Sequence, residues 1–134
     1  MPLSSDTLDA LARAAREAST RAYCPYSKFH VGAAVLTDDK VITAGCNVEN
    51  ASYGLTICAA RNAVFRGVAE GRRHIVAVAV YTPTPQPTAP CGACRQVLFE
   101  FGPDAEVVSF CDSSEVLHAR LRDLLPHAFG PASL

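Results

Sequence analysis

The chain has 134 residues, 49% of them hydrophobic and 19% charged, with a formal net charge of -1. That length suits one domain with a real core, and the composition excludes a disordered chain. The near-neutral charge gives no electrostatic footprint for nucleic acid or an anionic membrane, and no apolar run is long enough to cross a bilayer.

The first residues, Met1-Pro2-Leu3-Ser4-Ser5-Asp6, have no basic start and no apolar stretch, so no signal peptide is expected and the chain reads as cytoplasmic. Thiols stay reduced in that compartment, which favours metal ligation over three disulfides for the six cysteines. Residues 5–22 carry Leu8, Leu11, Ala12, Ala15 and Ala18 at helical spacing, with Ser4, Ser5 or Asp6 as the cap. Tyr23-Cys24-Pro25-Tyr26-Ser27 breaks the pattern, since proline disfavours helix at the residue before it. Val31 to Thr37 and Val41 to Ala44 read as two strands joined by a turn at Asp38-Asp39-Lys40.

A helix is predicted from Cys58 to Glu70, stopped by Gly71. His74 to Tyr81, rich in valine and alanine, reads as a strand buried on both faces. The proline-rich stretch Pro83 to Pro90 is a stiff loop leading to a second helix, Cys91 to Phe101, ended by Gly102-Pro103. Ala105 to Phe110 is a further strand, and His118 to Leu125 a short helix before Pro126. Strands alternating with helices predict one α/β domain over 1–134, a three-layer α/β/α sandwich. The chain shows no repeat and no interdomain linker.

The chemistry concentrates in three cysteines. Cys91 and Cys94 stand three apart at a helix start, so both sulfurs face one point, and Cys58 opens another helix. Helix N-termini lower thiol pKa and stabilise thiolates. Three thiolates with an open fourth position fit a catalytic zinc site, whereas structural zinc takes four protein ligands. Closing the site would need Cys46, His30 or His74, none of which lies at a standard spacing. Arg61, one turn beyond Cys58, is placed to draw charge from the thiolates. Cys24, Cys46 and Cys111 read as buried free thiols.

At these residues the chain resembles the cytidine deaminase family, in its small, homotetrameric, three-cysteine form. The family's Cys-Ala-Glu-Arg followed by Pro-Cys-x-x-Cys is similar to Cys58-Ala59-Ala60-Arg61 and Pro90-Cys91-Gly92-Ala93-Cys94 here. The resemblance continues through residues 27–34, the loop Gly45-Cys46-Asn47-Val48-Glu49-Asn50-Ala51-Ser52-Tyr53-Gly54, residues 94–98 and residues 124–130. It implies a mixed, mostly parallel sheet and one zinc ion per subunit, bound by Cys58, Cys91 and Cys94. By the same resemblance, Asn47 and Glu49 hold the ribose and Phe29 packs on the pyrimidine. The Ala59 backbone and the carbonyl near Ala89 grip the base edge and its amino group, while Tyr53 and Phe129 reach a neighbouring subunit's site. The implied activity is hydrolytic deamination of cytidine and 2′-deoxycytidine in pyrimidine salvage.

One departure matters. The family glutamate takes a proton from water and delivers protons to the base and the departing ammonia; this chain has Ala60 there. A methyl group carries no proton, so metal and cytidine binding with very slow turnover is expected. With every other motif residue intact, a deliberate Glu→Ala substitution is the preferred origin. The alternatives are a natural nucleoside-binding protein without catalysis, a deaminase of a related cytosine nucleoside, and a structural zinc module.

Overall fold

The computed structural model describes residues 3–134. Helix α1 spans Ser5–Ser19, and of the three candidate caps Ser4 serves: its hydroxyl accepts from the Thr7 amide at 3.1 Å, satisfying a donor the first turn leaves free. Its buried stripe includes Leu11, Ala15 and Ala18, the spacing that one apolar helix face requires. The helix stops short of residue 22 where the Ser19 and Thr20 hydroxyls turn back onto the Arg16 and Glu17 carbonyls at 2.6 and 2.7 Å. Such side-chain bonds compete with helix continuation.

The hairpin strands are β1 (Gly32–Thr37) and β2 (Ile42–Cys46). Helix α2 follows at Ala59–Ala69, then β3 (Ile75–Tyr81), α3 (Gly92–Phe101) and β4 (Glu106–Phe110). Gly71 sits at φ +90° just past α2, a conformation glycine adopts without strain. The chain ends through β5 (Leu117–Arg120) and the single-turn α4 (Leu121–Leu124). The helix expected over His118 to Leu125 is therefore half strand. Leu117, His118 and Arg120 are exposed, so this edge strand shows no apolar alternation; its backbone ladder to β4 makes it.

The five strands form one mixed sheet in the order β2-β1-β3-β4-β5. The expected excess of parallel pairing is corrected. Only β3 and β4 pair in parallel; β1–β2, β1–β3 and β4–β5 are antiparallel. The α2 crossover does return the chain parallel to β2, but β1 lies between β2 and β3 and opposes both. The sandwich is as expected. On one face, Leu11 and Ala15 of α1 pack on Ala34, Ala77 and Ala79. On the other, Ala63 and Val64 of α2 and Leu98 of α3 pack on Ala33, Val35, Val78 and Val107. Alternation along β1 and β3 thus feeds two cores from one sheet. Six of the seven β3 residues are buried, Val76 being 40% exposed. Among the described residues no helix is long and apolar enough to cross a membrane.

Two glycines set how closely the helices lie. A Cβ on Gly32 would stand 1.8 Å from the Ala15 carbonyl oxygen, and one on Gly45 2.5 Å from the Ala63 amide nitrogen. Both obstacles are backbone, so neither can swing aside. Gly32→Ala is expected to cost about 3 kcal/mol in urea unfolding, the upper end of the usual overpacking range, against about 1 kcal/mol for loss of the cap in Ser4→Ala. A Gly32→Ala protein as stable as its parent would show that α1 does not sit this close.

Candidate active site

The site forms where α2 and α3 begin, beside the C-terminal ends of β3 and β4. Cys58 is the N-cap residue of α2 and Cys91 that of α3, and neither side chain caps its helix. Their sulfurs are therefore free to face one another, with Cys94 from the first turn of α3. The Cys58 and Cys91 sulfurs lie 3.9 Å apart, those of Cys91 and Cys94 3.3 Å apart, and all three within 4.8 Å. Three sulfurs at about 2.3 Å from a tetrahedral zinc would lie about 3.8 Å from one another. The geometry fits one zinc ion per chain. Among the described residues no other cysteine, histidine or carboxylate joins this group, so the fourth position is left to a non-protein ligand. Neither His30 nor His74 closes the site.

Arg61 reaches back one turn, and its Nη2 donates to the Cys58 sulfur at 3.3 Å. Its Nε is buried without a partner. The Cys58 thiol is pulled down to about 5, chiefly because Cys94 donates to it, with Arg61 adding charge attraction. Cys94 moves the opposite way, raised by that same contact and by burial. The downward pull on Cys58 comes from groups on both helices, Arg61 of α2 and Cys94 of α3.

The sulfurs open into a cavity of about 270 Å³ that Ala60, Phe29, Asn47, Glu49 and Ala89 also line. Ala60 is 4% exposed, the second residue of α2, with its methyl group facing the space beside the sulfurs. A larger groove of about 800 Å³ against α1, lined by Ala10, Ile42 and Val76 among others, holds none of the cysteines.

The segment carrying Asn47 and Glu49 is extended, with Val48 bridged to Tyr23 on one side and Ile57 on the other. Alternation sends Asn47 and Glu49 to the cavity. Both are anchored from behind. Asn47 Oδ1 accepts from the Val31 amide at 3.0 Å, and Nδ2 donates to the Phe29 carbonyl at 2.7 Å. Glu49 accepts from the Tyr26 and Ser27 amides at 3.0 and 3.2 Å, and from the Ser27 hydroxyl. The Ser27 hydroxyl, helped by those amides, holds the Glu49 carboxyl below its ordinary range.

Not every expected residue meets the cavity. Ala59 is buried under it in the α2 first turn. Tyr53 is 74% exposed on an adjoining pocket with Tyr26, Ser27, Glu49 and Thr56, its ring 5.7 Å from that of Tyr26. Phe129 is 60% exposed and outside the cavity, its carbonyl accepting from Gln96 at 2.9 Å. Cys24 and Cys111 are buried free thiols as expected, while Cys46 is half-buried.

The cavity wall also contains residues that the sequence does not single out: Ser27, Val31, Thr56, Thr82 and Thr88. The available signal was the alternation of threonine and proline between Thr82 and Pro90. Behind the wall, Arg95 donates to the Pro90 carbonyl at 2.7 Å and the Leu124 carbonyl at 2.9 Å. Asn62 donates to the Cys46 carbonyl at 2.8 Å, tying the end of β2 to α2.

Residues 5–111 match the family model described as the cytidine and deoxycytidylate deaminase zinc-binding region. A cytidine deaminase of Halalkalibacterium halodurans is 48% identical over 120 residues, spanning 89% of this chain and 91% of that protein. Another, from Mycobacterium tuberculosis strain H37Rv, is 45% identical over 116 residues, 87% of this chain and 84% of its own. The crystal structure of cytidine deaminase from Burkholderia pseudomallei superimposes with a TM-score of 0.87 at 51% identity, covering 90% of this chain and 98% of that one. Agreement of sequence, fold and thiolate geometry over nearly the whole chain shows that it belongs to the cytidine and deoxycytidylate deaminase zinc-binding family.

Proposed function

We propose that this single domain is built to deaminate cytidine and 2′-deoxycytidine to uridine and 2′-deoxyuridine, and that with Ala60 it binds the nucleoside but scarcely turns it over. The observation that carries this is the shared cavity: the Ala60 methyl faces the same 270 Å³ as the three sulfurs, Phe29, Asn47 and Glu49. Zinc, when bound, supplies a Lewis acid that activates water. The chain supplies the rest. Phe29 packs against the pyrimidine ring. Asn47 and Glu49, fixed by their own backbone bonds, present remaining lone pairs and an N–H to the ribose hydroxyls. The Ala59 amide and Ala89 carbonyl meet the base edge and amino group. Arg61 draws negative charge from the thiolates. Ala60 can neither take a proton from water nor return one to the base. A deliberate Glu→Ala substitution is the reading we favour, and a cytoplasmic salvage role follows from the substrates.

The cavity also favours a free nucleoside over its 5′-phosphate. None of its lining residues is Lys or Arg, while Glu49 adds a carboxylate to the thiolates. A phosphate there would meet anionic groups and no lining cation.

Three measurements test the reading. Ala60→Glu is expected to raise cytidine turnover by about 10⁴-fold or more, with little change in cytidine affinity. A zinc-loaded variant inert to both cytidine and deoxycytidine would end the assignment. Cobalt substitution is expected to give the spectrum of three thiolates plus an exchangeable water, and Cys91→Ser to lower bound metal below one per chain; a closed four-ligand spectrum would make the site structural. Light scattering is expected to report a homotetramer, in which Tyr53 and Phe129 complete a neighbour's site. A stable monomer with full cytidine affinity would remove those two roles.

A further inference from the structure

The loop from Thr82 to Pro90 forms one wall of the cavity, yet it belongs to no strand or helix. Its first turn extends the parallel ladder: the Thr82 amide donates to the Phe110 carbonyl at 3.2 Å, and the Asp112 amide to the Thr84 carbonyl at 2.9 Å. Beyond that point the hydroxyls take over. Thr82 Oγ1 lies 2.8 Å from Thr84 Oγ1 and 3.5 Å from Thr88 Oγ1, and the Thr84 hydroxyl donates to the Gln86 carbonyl at 2.6 Å.

A hydroxyl has one proton. Thr84 spends its proton on Gln86, so at 2.8 Å Thr84 is the acceptor and Thr82 the donor, which leaves Thr82 to accept from the Thr88 hydroxyl in the long 3.5 Å contact. Thr82 is 3% exposed and lines the cavity, but its proton is committed to the loop and does not point at a ligand. Thr88 stands directly before Ala89, and both residues line the cavity. Thr84 does not line it.

We propose that Thr82 is a positioning residue: its buried hydroxyl, acting through Thr84 and Thr88, sets the Ala89 backbone and thereby the preference for a base bearing an amino group over one bearing an oxygen. The inference rests on the nucleoside reading above. It requires that the Ala89 carbonyl accepts from the 4-amino group of cytosine. Uridine offers an oxygen at that position, so a carbonyl held in place repels it, and a carbonyl free to drift stops discriminating.

The test is the ratio of the dissociation constants of uridine and cytidine, measured by calorimetry on the zinc-loaded protein. In Thr82→Val, which keeps the shape and removes the hydroxyl, the ratio is expected to fall by about fivefold to tenfold, the range of one hydrogen bond. Zinc content should stay at one per chain. Thr82→Ser is expected to retain the parent ratio. Thr84→Val, remote from the cavity, is expected to lower the ratio as well, because it breaks the same relay. A ratio that falls in Thr82→Val but not in Thr84→Val would mean direct contact of Thr82 with the ligand and overturn the relay. An unchanged ratio in both would overturn the proposal entirely. If the parent binds neither nucleoside, the nucleoside reading itself fails, an outcome separate from either of these.

Discussion

Two helices begin at one point in space, and the rest of the molecule depends on that convergence. Each carries a cysteine at its N-cap, where the backbone amides are unpaired and the helix dipole is positive. A Ser or Asp there would turn inward to cap the helix. Cys58 and Cys91 leave the amides alone and turn their sulfurs outward. The helices hold this position on a sheet face filled by Val35, Val78, Val80 and Val107, with Ala33 and Ala63 between them and Gly45 meeting the α2 backbone directly. The alanines Ala34, Ala77 and Ala79 lie on the opposite face, where they let α1 pack closely; beneath the cysteine-bearing helices the small residues of the sheet are Ala33 and Gly45.

Position 60 shows what that arrangement costs. A carboxylate at a site 4% exposed would lose most of its hydration beside anionic sulfurs. The proposed reaction calls for such a group, poised between neutral and ionised. The fold does not. Alanine at the second position of a helix has high helix propensity, buries no polar atom, and disturbs neither Arg61 nor the sulfurs. On the proposed reading, metal binding and proton transfer are separable: the three cysteines and Arg61 serve the first, while position 60, a member of the buried cluster with Ala59, Ala63 and Cys94, would serve the second. Natural active sites commonly trade stability for such groups.

Much of this was legible in the sequence, for reasons that differ by element. The cysteine spacing read correctly because a helix start fixes where i and i+3 side chains point. β3 read correctly because burial on both faces leaves a continuous apolar run. β5 did not read, because an exposed edge strand owes its existence to backbone pairing with β4 and leaves no pattern in Leu117–Arg120. Strand direction was invisible for a similar reason. A crossover helix fixes β2 and β3 as parallel, but nothing local says that β1 inserts between them. The Pro83–Pro90 stretch reads as a stiff loop from its prolines, but the threonine hydroxyls that hold it give no signal of their own, since hydroxyls that hold a loop resemble hydroxyls that solvate one.

Asn47 and Glu49 carry the same lesson into recognition. Read as a polar loop, they would be expected to bond to their own turn. Instead Asn47 joins the carbonyl of Phe29 to the amide of Val31, and Glu49 gathers the amides of Tyr26 and Ser27. These bonds hold the side chains before any ligand arrives and fix the backbone that carries Phe29. In the proposed complex a sugar would meet groups whose rotamers are already chosen, so little side-chain entropy would be lost on binding. The residues that would grip the ribose are the same ones that set the aromatic wall for the base. Loss of either anchor would loosen the backbone that carries Phe29 as well as the polar pair, so in the proposed complex both halves of the nucleoside site would slacken together.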